Sequence, residues 1–215
     1  MLFNRTRLAL CRRRRALVWA MDAPNLLAVA DGSCSRNRRY IGWHGNLHCA
    51  SDPDSDVPII VEDGNFHAST VTPCMAELAS IRTALLLTKT HVERFGGGIP
   101  LRIHVFNDCH IAVEASVMLD RVDLMNKGAP HLVPLLDPIH KLKLELRDLG
   151  HTVVIRRPLK GREARLIQLA DGSARRARWA DLIDIDLALQ QAFERCQSIL
   201  DGMSSDERQV AKDWF

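Results

Sequence analysis

The sequence predicts an α/β fold built on a five-stranded mixed sheet with helices on both faces, its elements in the order βββαβααβα. Three observations lead there. Short β-type runs with tight connections fill residues 25–67, the pattern of an antiparallel meander. After Thr72-Pro73 the apolar period changes to that of a helix. Beyond that helix, β-type and helical stretches alternate, and strands joined through helices need crossover connections, so strands one, four and five run parallel.

The first strand is Asn25 to Ala30, a run rich in Leu and Val that stops on Asp31, with Gly32 and Ser33 after it. Arg39 to Cys49 (RYIGWHGNLHC) mixes small and aromatic residues as a second strand does, and Ser51 to Asp56 (SDPDSD) is dense in turn formers. Val57 to His67 forms the third strand, with a bend near Gly64. Thr72 as cap and Pro73 at the first helical position open a long helix through Phe95, which Gly96-Gly97-Gly98 ends. Leu101 to Phe106 is the fourth strand and stops on the polar pair Asn107-Asp108. A second helix spans His110 to Leu119 and a third Leu132 to Leu149, closed by Gly150. Thr152 to Arg156 is the fifth strand, and the last helix runs from Ala164 to Trp179.

With 215 residues, 47% of them hydrophobic, the chain is long enough for one domain with a proper core, expected over residues 23–179. Residues 1–22 read as a basic, disordered extension, an organellar transit peptide, or translation from a start upstream of Met21. Residues 180–215 form an acidic tail with a helical stretch at 182–200; docking on the domain, pairing with a protein partner and shielding a basic surface all remain open for it. The net charge of +3 comes from the six arginines of the first twenty residues; without them the balance is 3 − 6 = −3. Nucleic-acid affinity must therefore come from local patches and bound cations, not from the overall field. Six scattered cysteines with no CxxC pair point to reduced thiols and a cytoplasmic location, and no apolar run is long enough to span a membrane.

Four acids stand at comparable places. Asp31 and Asp108 follow strands expected to be parallel neighbours, so both emerge at one sheet edge, where ligands of open α/β sheets gather. Glu77 shares a helix face with Ile81 and Ala84, the stripe that packs on the sheet. Asp171 borders the stripe of Leu166, Ala170 and Ala174 on the last helix. Each has an ordinary reading: a turn residue, a helix-dipole partner, a helix cap and an i,i+4 partner of Arg175. Together they form a repelling cluster that needs bound cations, and hard oxygen ligands suit two Mg²⁺ or Mn²⁺ ions. Such a pair can activate water and stabilise a leaving oxygen in phosphodiester hydrolysis.

With ADGSCSRNRRYIGW, MAELASIRTAL, VFNDCHIAV and RRPLKGREARLIQLADGSARRA in this order, the chain resembles the ribonuclease H family from about Asn25 to Arg178. The resemblance implies that family's fold and a metal-dependent endonuclease that cuts the RNA strand of RNA/DNA hybrids, leaving 3′-hydroxyl and 5′-phosphate ends. It implies Asp31, Glu77, Asp108 and Asp171 as metal-binding, catalytic carboxylates. It also implies that Asn37 and Gly42 belong to the nucleic-acid-binding part, with Asn37 approaching the 2′-hydroxyls of the RNA strand. The sequence departs from the family in the loop before the last helix, where Arg162 and Glu163 stand in the region of a common histidine. An asparagine often found four residues before the last aspartate is Ile167 here. These departures keep two alternatives open: the same fold acting on another nucleic acid, or a nucleic-acid-binding module with weak catalysis.

Eight basic residues lie between Arg156 and Arg178, against Glu163 and Asp171. Lys160, Arg162 and Arg165 among them are candidates for tracking phosphates, the alternative being a solvated helix face. Trp43 reads as a core aromatic or a stacking ring. His110 reads as a surface histidine or a neighbour of Asp108, and His44, His48 and Cys49 are divided between strand faces.

Overall fold

The computed structural model describes residues 25–52, 55–95, 98–118, 124, 129–180 and 186–213. The sheet contains β1 (Leu26–Cys34), β2 (Tyr40–Cys49), β3 (Ile60–His67), β4 (Arg102–Phe106) and β5 (Thr152–Arg156), in spatial order β3-β2-β1-β4-β5. β1, β2 and β3 are antiparallel neighbours, while β1, β4 and β5 run parallel, as expected. The helices are α1 (Pro73–Phe95), α2 (His110–Met118), α3 (Val133–Asp148, after a 3-10 turn over Pro130–Leu132), α4 (Arg162–Ala177), α5 (Leu187–Gly202) and α6 (Ser205–Asp213). None of the described helices is long and apolar enough to cross a membrane, and the five described cysteines are all free.

Alternation along β1 divides the core in two. Leu26, Ala28 and Ala30 join α1, α3 and α5 in the larger cluster. Leu27 and Val29 face the other way and pack with Phe106 on Leu166, Ile167 and Ala170 of α4. Burying each of the Leu, Ile, Val and Phe side chains contributes roughly 1.5–3 kcal/mol, so alternation fixes the register of the central strand.

Several element boundaries differ from expectation, and β3 begins at Ile60, not Val57. β1 does not end at Ala30: it runs on to Cys34, paired with β2 through Ile41, so Asp31 lies inside the strand. The apolar run stops where β1 leaves the core, but its antiparallel hydrogen bonds continue. The last helix starts at Arg162 and closes at Ala177, where the Asn65 side chain donates to the carbonyls of Ala177 (2.9 Å) and Ala180 (3.1 Å). Asn65 thereby satisfies carbonyls that a helix end leaves open.

The helical part of the tail docks on the domain. Leu189, Phe193, Cys196 and Leu200 of α5 belong to the larger core. Phe193 stacks on Phe66 with ring centroids 4.6 Å apart and meets Trp43, only 2% exposed, at 5.3 Å. Trp43 is therefore a core aromatic. Asp186 caps α5 by accepting from the Ala188 and Leu189 N–H groups, and it also pairs with the buried Arg82 at 2.9 Å. The basic residues 1–22 lie outside the described residues.

Candidate active site

Parallel pairing sets Val29 of β1 opposite Phe106 of β4, so two residues further on Asp31 and Asp108 stand level. α1 delivers Glu77 to the same place because β1 carries no side chain at residue 32. A Cβ on Gly32 would stand 2.5 Å from the Ala76 carbonyl carbon and the Glu77 nitrogen, so only glycine lets the first turns of α1 lie on the strand. Gly32 is thus a close-approach residue, and Asp31 beside it lies within the strand, not in a turn.

Oxygens of Asp31, Glu77 and Asp108 all lie within 4.8 Å of one another. Asp31 is 3% exposed, Glu77 is partly buried and Asp108 is exposed, so the cluster opens to solvent on the Asp108 side. Glu77 is held tightly: its Oε2 accepts from the Gly32 N–H at 3.0 Å and from Asn107 Nδ2 at 2.7 Å. Asn107 also donates to the Ala30 carbonyl at 3.0 Å, and its Oδ1 accepts the Cys109 N–H at 2.9 Å. This fully buried amide ties β1, α1 and the start of α2 together. Sequence reasoning noted Asn107 only as half of a polar pair; a polar residue on the inward side of a strand end was the available signal.

The electrostatics are unfavourable for bare carboxylates. Burial, then the charges of Glu77, Asp108 and Asp171, push Asp31 up to about 9. Burial also pushes Glu77 up to about 8, against the opposing hydrogen bond from Asn107. Asp31 Oδ2 is buried and has no hydrogen-bond partner. A partnerless buried carboxylate oxygen beside two further carboxylates fits a hard divalent cation, whose charge would offset both desolvation and repulsion. A divalent metal is the group these residues can hold.

Asp171 lies close enough to raise Asp31 and Glu77, but its own Oδ1 accepts from Arg175 Nε at 2.7 Å, and it stands outside the three-residue cluster. Beside the cluster is an open cleft of about 720 Å³ between the β1–β2 loop and the C-terminal half of α4. Ser35, Arg36 and Asn37 line one wall, and Asp171, Arg175, Arg178 and Trp179 the other. Asn37 is exposed there, with its Oδ1 accepting from Ser35 Oγ at 2.6 Å. Arg36 and Arg39, exposed on the same loop, were not singled out from the sequence although SRNRR is visibly basic.

Four other candidates lie elsewhere. Gly42 is buried under α4, where a Cβ would stand 2.4 Å from the Arg178 nitrogen; it admits the helix to the sheet and offers no surface to a nucleic acid. Arg162 donates to the carbonyls of Cys49 (3.3 Å) and Ser55 (2.7 Å). Nine residues separate it from Asp171 on α4, about 13 Å along the axis, so it does not stand in for a histidine at the carboxylates. Arg165 forks onto Asp56 at 3.0 and 3.2 Å, and Lys160 is exposed in the turn before α4. His44, Asn46 and His48 share the α4 face of β2 in a buried hydrogen-bonded ladder that Asp63 begins. His110 is exposed and 3.7 Å from Glu114.

Solved structures share this arrangement of elements. A ribonuclease H1 isolated from compost by a metagenomic approach superposes with a TM-score of 0.50 at 15% identity, over 72% of this chain and 98% of that one. Prototype foamy virus protease–reverse transcriptase superposes with a TM-score of 0.54 at 15% identity, over 74% of this chain and 21% of that one. This chain has the ribonuclease H fold. The foamy viral enzyme in complex with an RNA/DNA hybrid gives a TM-score of 0.50 at 12% identity, over 73% of this chain and 20% of that one. No protein-family model matches the sequence, and no curated protein matches it either. The ribonuclease H fold accounts for the parallel register that brings Asp31 level with Asp108.

Proposed function

We propose that the protein is a metal-dependent endonuclease that hydrolyses the RNA strand of RNA/DNA hybrids. The observation that carries this reading is the buried, partnerless Oδ2 of Asp31 within a three-carboxylate cluster. Asp31, Glu77 and Asp108 would hold Mg²⁺ or Mn²⁺, with Asp171 joining as a fourth ligand once released from Arg175. Bound as a pair, such ions supply Lewis acidity that activates water and stabilises the leaving oxygen.

The chain's own residues do the rest. Asn107 and the Gly32 N–H orient Glu77 so that its carboxylate does not swing between rotamers. Arg36 on one wall, and Arg175 and Arg178 on the other, supply positive charge for the phosphates on either side of the scissile bond. Asn37, exposed at the cleft, is the group positioned for a 2′-hydroxyl, the mark that separates RNA from DNA. A structure of the foamy viral enzyme with an RNA/DNA hybrid supports this substrate class.

The pairing of Asp171 with Arg175 favours a second reading, a nucleic-acid-binding module with weak catalysis. Incubation of end-labelled hybrid, single-stranded RNA, duplex RNA and duplex DNA with and without Mg²⁺ or Mn²⁺ separates the two. Metal-dependent cutting of the hybrid's RNA strand alone, leaving 3′-hydroxyl and 5′-phosphate ends, is expected. A folded protein that binds hybrid and cuts nothing is the binding module, and preferential cutting of another nucleic acid changes the substrate.

A further inference from the structure

The end of α4 carries a feature that phosphodiester hydrolysis does not use. Trp179 is 61% exposed, a large aromatic surface to leave in water beside a cleft. Its ring sits 4.9 Å from the Arg178 guanidinium, which is itself anchored on β1 through Ser33 Oγ (2.9 Å) and the Cys34 carbonyl (2.7 Å). Tyr40 lies 5.4 Å from the indole and stacks on His67 at 4.4 Å. The turn that bears the indole is fixed by Asn65, which holds the carbonyls of Ala177 and Ala180. These rings border a second cavity of about 340 Å³, and Arg178 and Trp179 line both it and the carboxylate-side cleft. A volume of that size suits one planar ring system better than a length of strand.

We propose that Trp179, Tyr40 and His67 form a stacking platform that takes an unpaired nucleobase next to the scissile region, so that the protein prefers hybrids flanked by a single-stranded nucleotide. Bases within a duplex already cover one another's faces, whereas an unpaired base has a free π-face to offer an exposed indole. Arg178, which lines both cavities, meets the phosphate that links the paired and unpaired nucleotides. The proposal rests on the nuclease reading above, but its test does not need turnover.

The experiment is fluorescence anisotropy in EDTA with a labelled blunt RNA/DNA hybrid and the same hybrid bearing a three-nucleotide single-stranded overhang. The wild-type protein is expected to bind the overhang substrate roughly five- to tenfold more tightly, the lower range for an exposed aromatic stacking on a base. Trp179→Ala should bring that ratio to about one, and Trp179→Phe should restore part of it. Circular dichroism melting of each variant reports its fold. A wild-type ratio of one, with the blunt hybrid still bound, overturns the platform and leaves the nuclease standing. A ratio unchanged by Trp179→Ala also overturns it. Binding of neither hybrid by folded protein overturns the platform, and the metal-dependent cleavage assay above then decides the nuclease reading by itself.

Discussion

Two acidic positions in this molecule are solved in opposite ways. Glu163, at the start of α4, is largely buried, yet Arg156 clasps it at 2.6 and 2.7 Å and the Leu159 N–H donates to it at 2.6 Å. Burial opposes ionisation there, but Arg156 and the backbone donor win and hold its carboxyl below the usual range. Asp31 and Glu77 are also buried, and there desolvation and like charge win, lifting them to about 9 and about 8. The fold therefore neutralises one acid from within and leaves the other two to be neutralised from outside. Acids raised by burial and like charge, with no internal cation paired to them among the described residues, make that place the candidate ligand site of the fold.

The contrast is broken most severely by Asp31→Asn. On the proposed nuclease reading that change should lower hybrid cleavage on the order of a thousandfold or more in a gel assay, since it removes a charge that would hold the metals. Asn107→Ala releases Glu77 without removing a carboxylate, and a loss of about ten- to a hundredfold in metal affinity or rate is expected.

Stability gives the sharper comparison, because one chemical change has opposite signs at the two places. Below about pH 4 the metal-free chain has the full proton-linked stability of Asp31 and Glu77, and it loses this as pH rises towards about 9. Melting in EDTA should therefore fall across that window, and Mg²⁺ should raise the midpoint at pH 8 more than at pH 5. Asp31→Asn should raise the EDTA midpoint at pH 8. Glu163→Gln leaves Arg156 underpaired, and should lower stability by about 1–3 kcal/mol in urea unfolding at pH 8. The smallest effect is expected of Arg165→Ala, which removes only a solvent-screened surface pair with Asp56 and should leave the urea midpoint nearly unchanged.

Much of this was legible along the chain, and the exceptions share a cause. The strands, the crossover helices and the convergence of Asp31, Glu77 and Asp108 follow from local periodicity and parallel connection. The end of β1 is not marked along the chain, because apolarity stops at Ala30 while pairing with β2 continues to Cys34, beyond where β4 stops. Hydrophobicity reports the core and hydrogen bonding reports the strand, and here they part company at the site. Arg162 looked free because its carbonyl partners are 113 and 107 residues away in sequence. Gly42 fell at the right spacing, but the helix backbone against it comes from the far end of the fold. The amphipathic tail was visible as such; its seat on Trp43 and Phe66 was not, since that depends on which sheet face α1 leaves bare.

The most direct measurement is isothermal titration calorimetry of Mn²⁺ into the protein at pH 7, in two buffers of different ionisation enthalpy. Carboxyl groups raised to about 9 and about 8 are largely protonated at that pH, and a cation must displace those protons to bind. The account predicts saturable binding with release of between about one and two protons, abolished in Asp31→Asn. Binding with no proton release, or equal binding by Asp31→Asn, would contradict it.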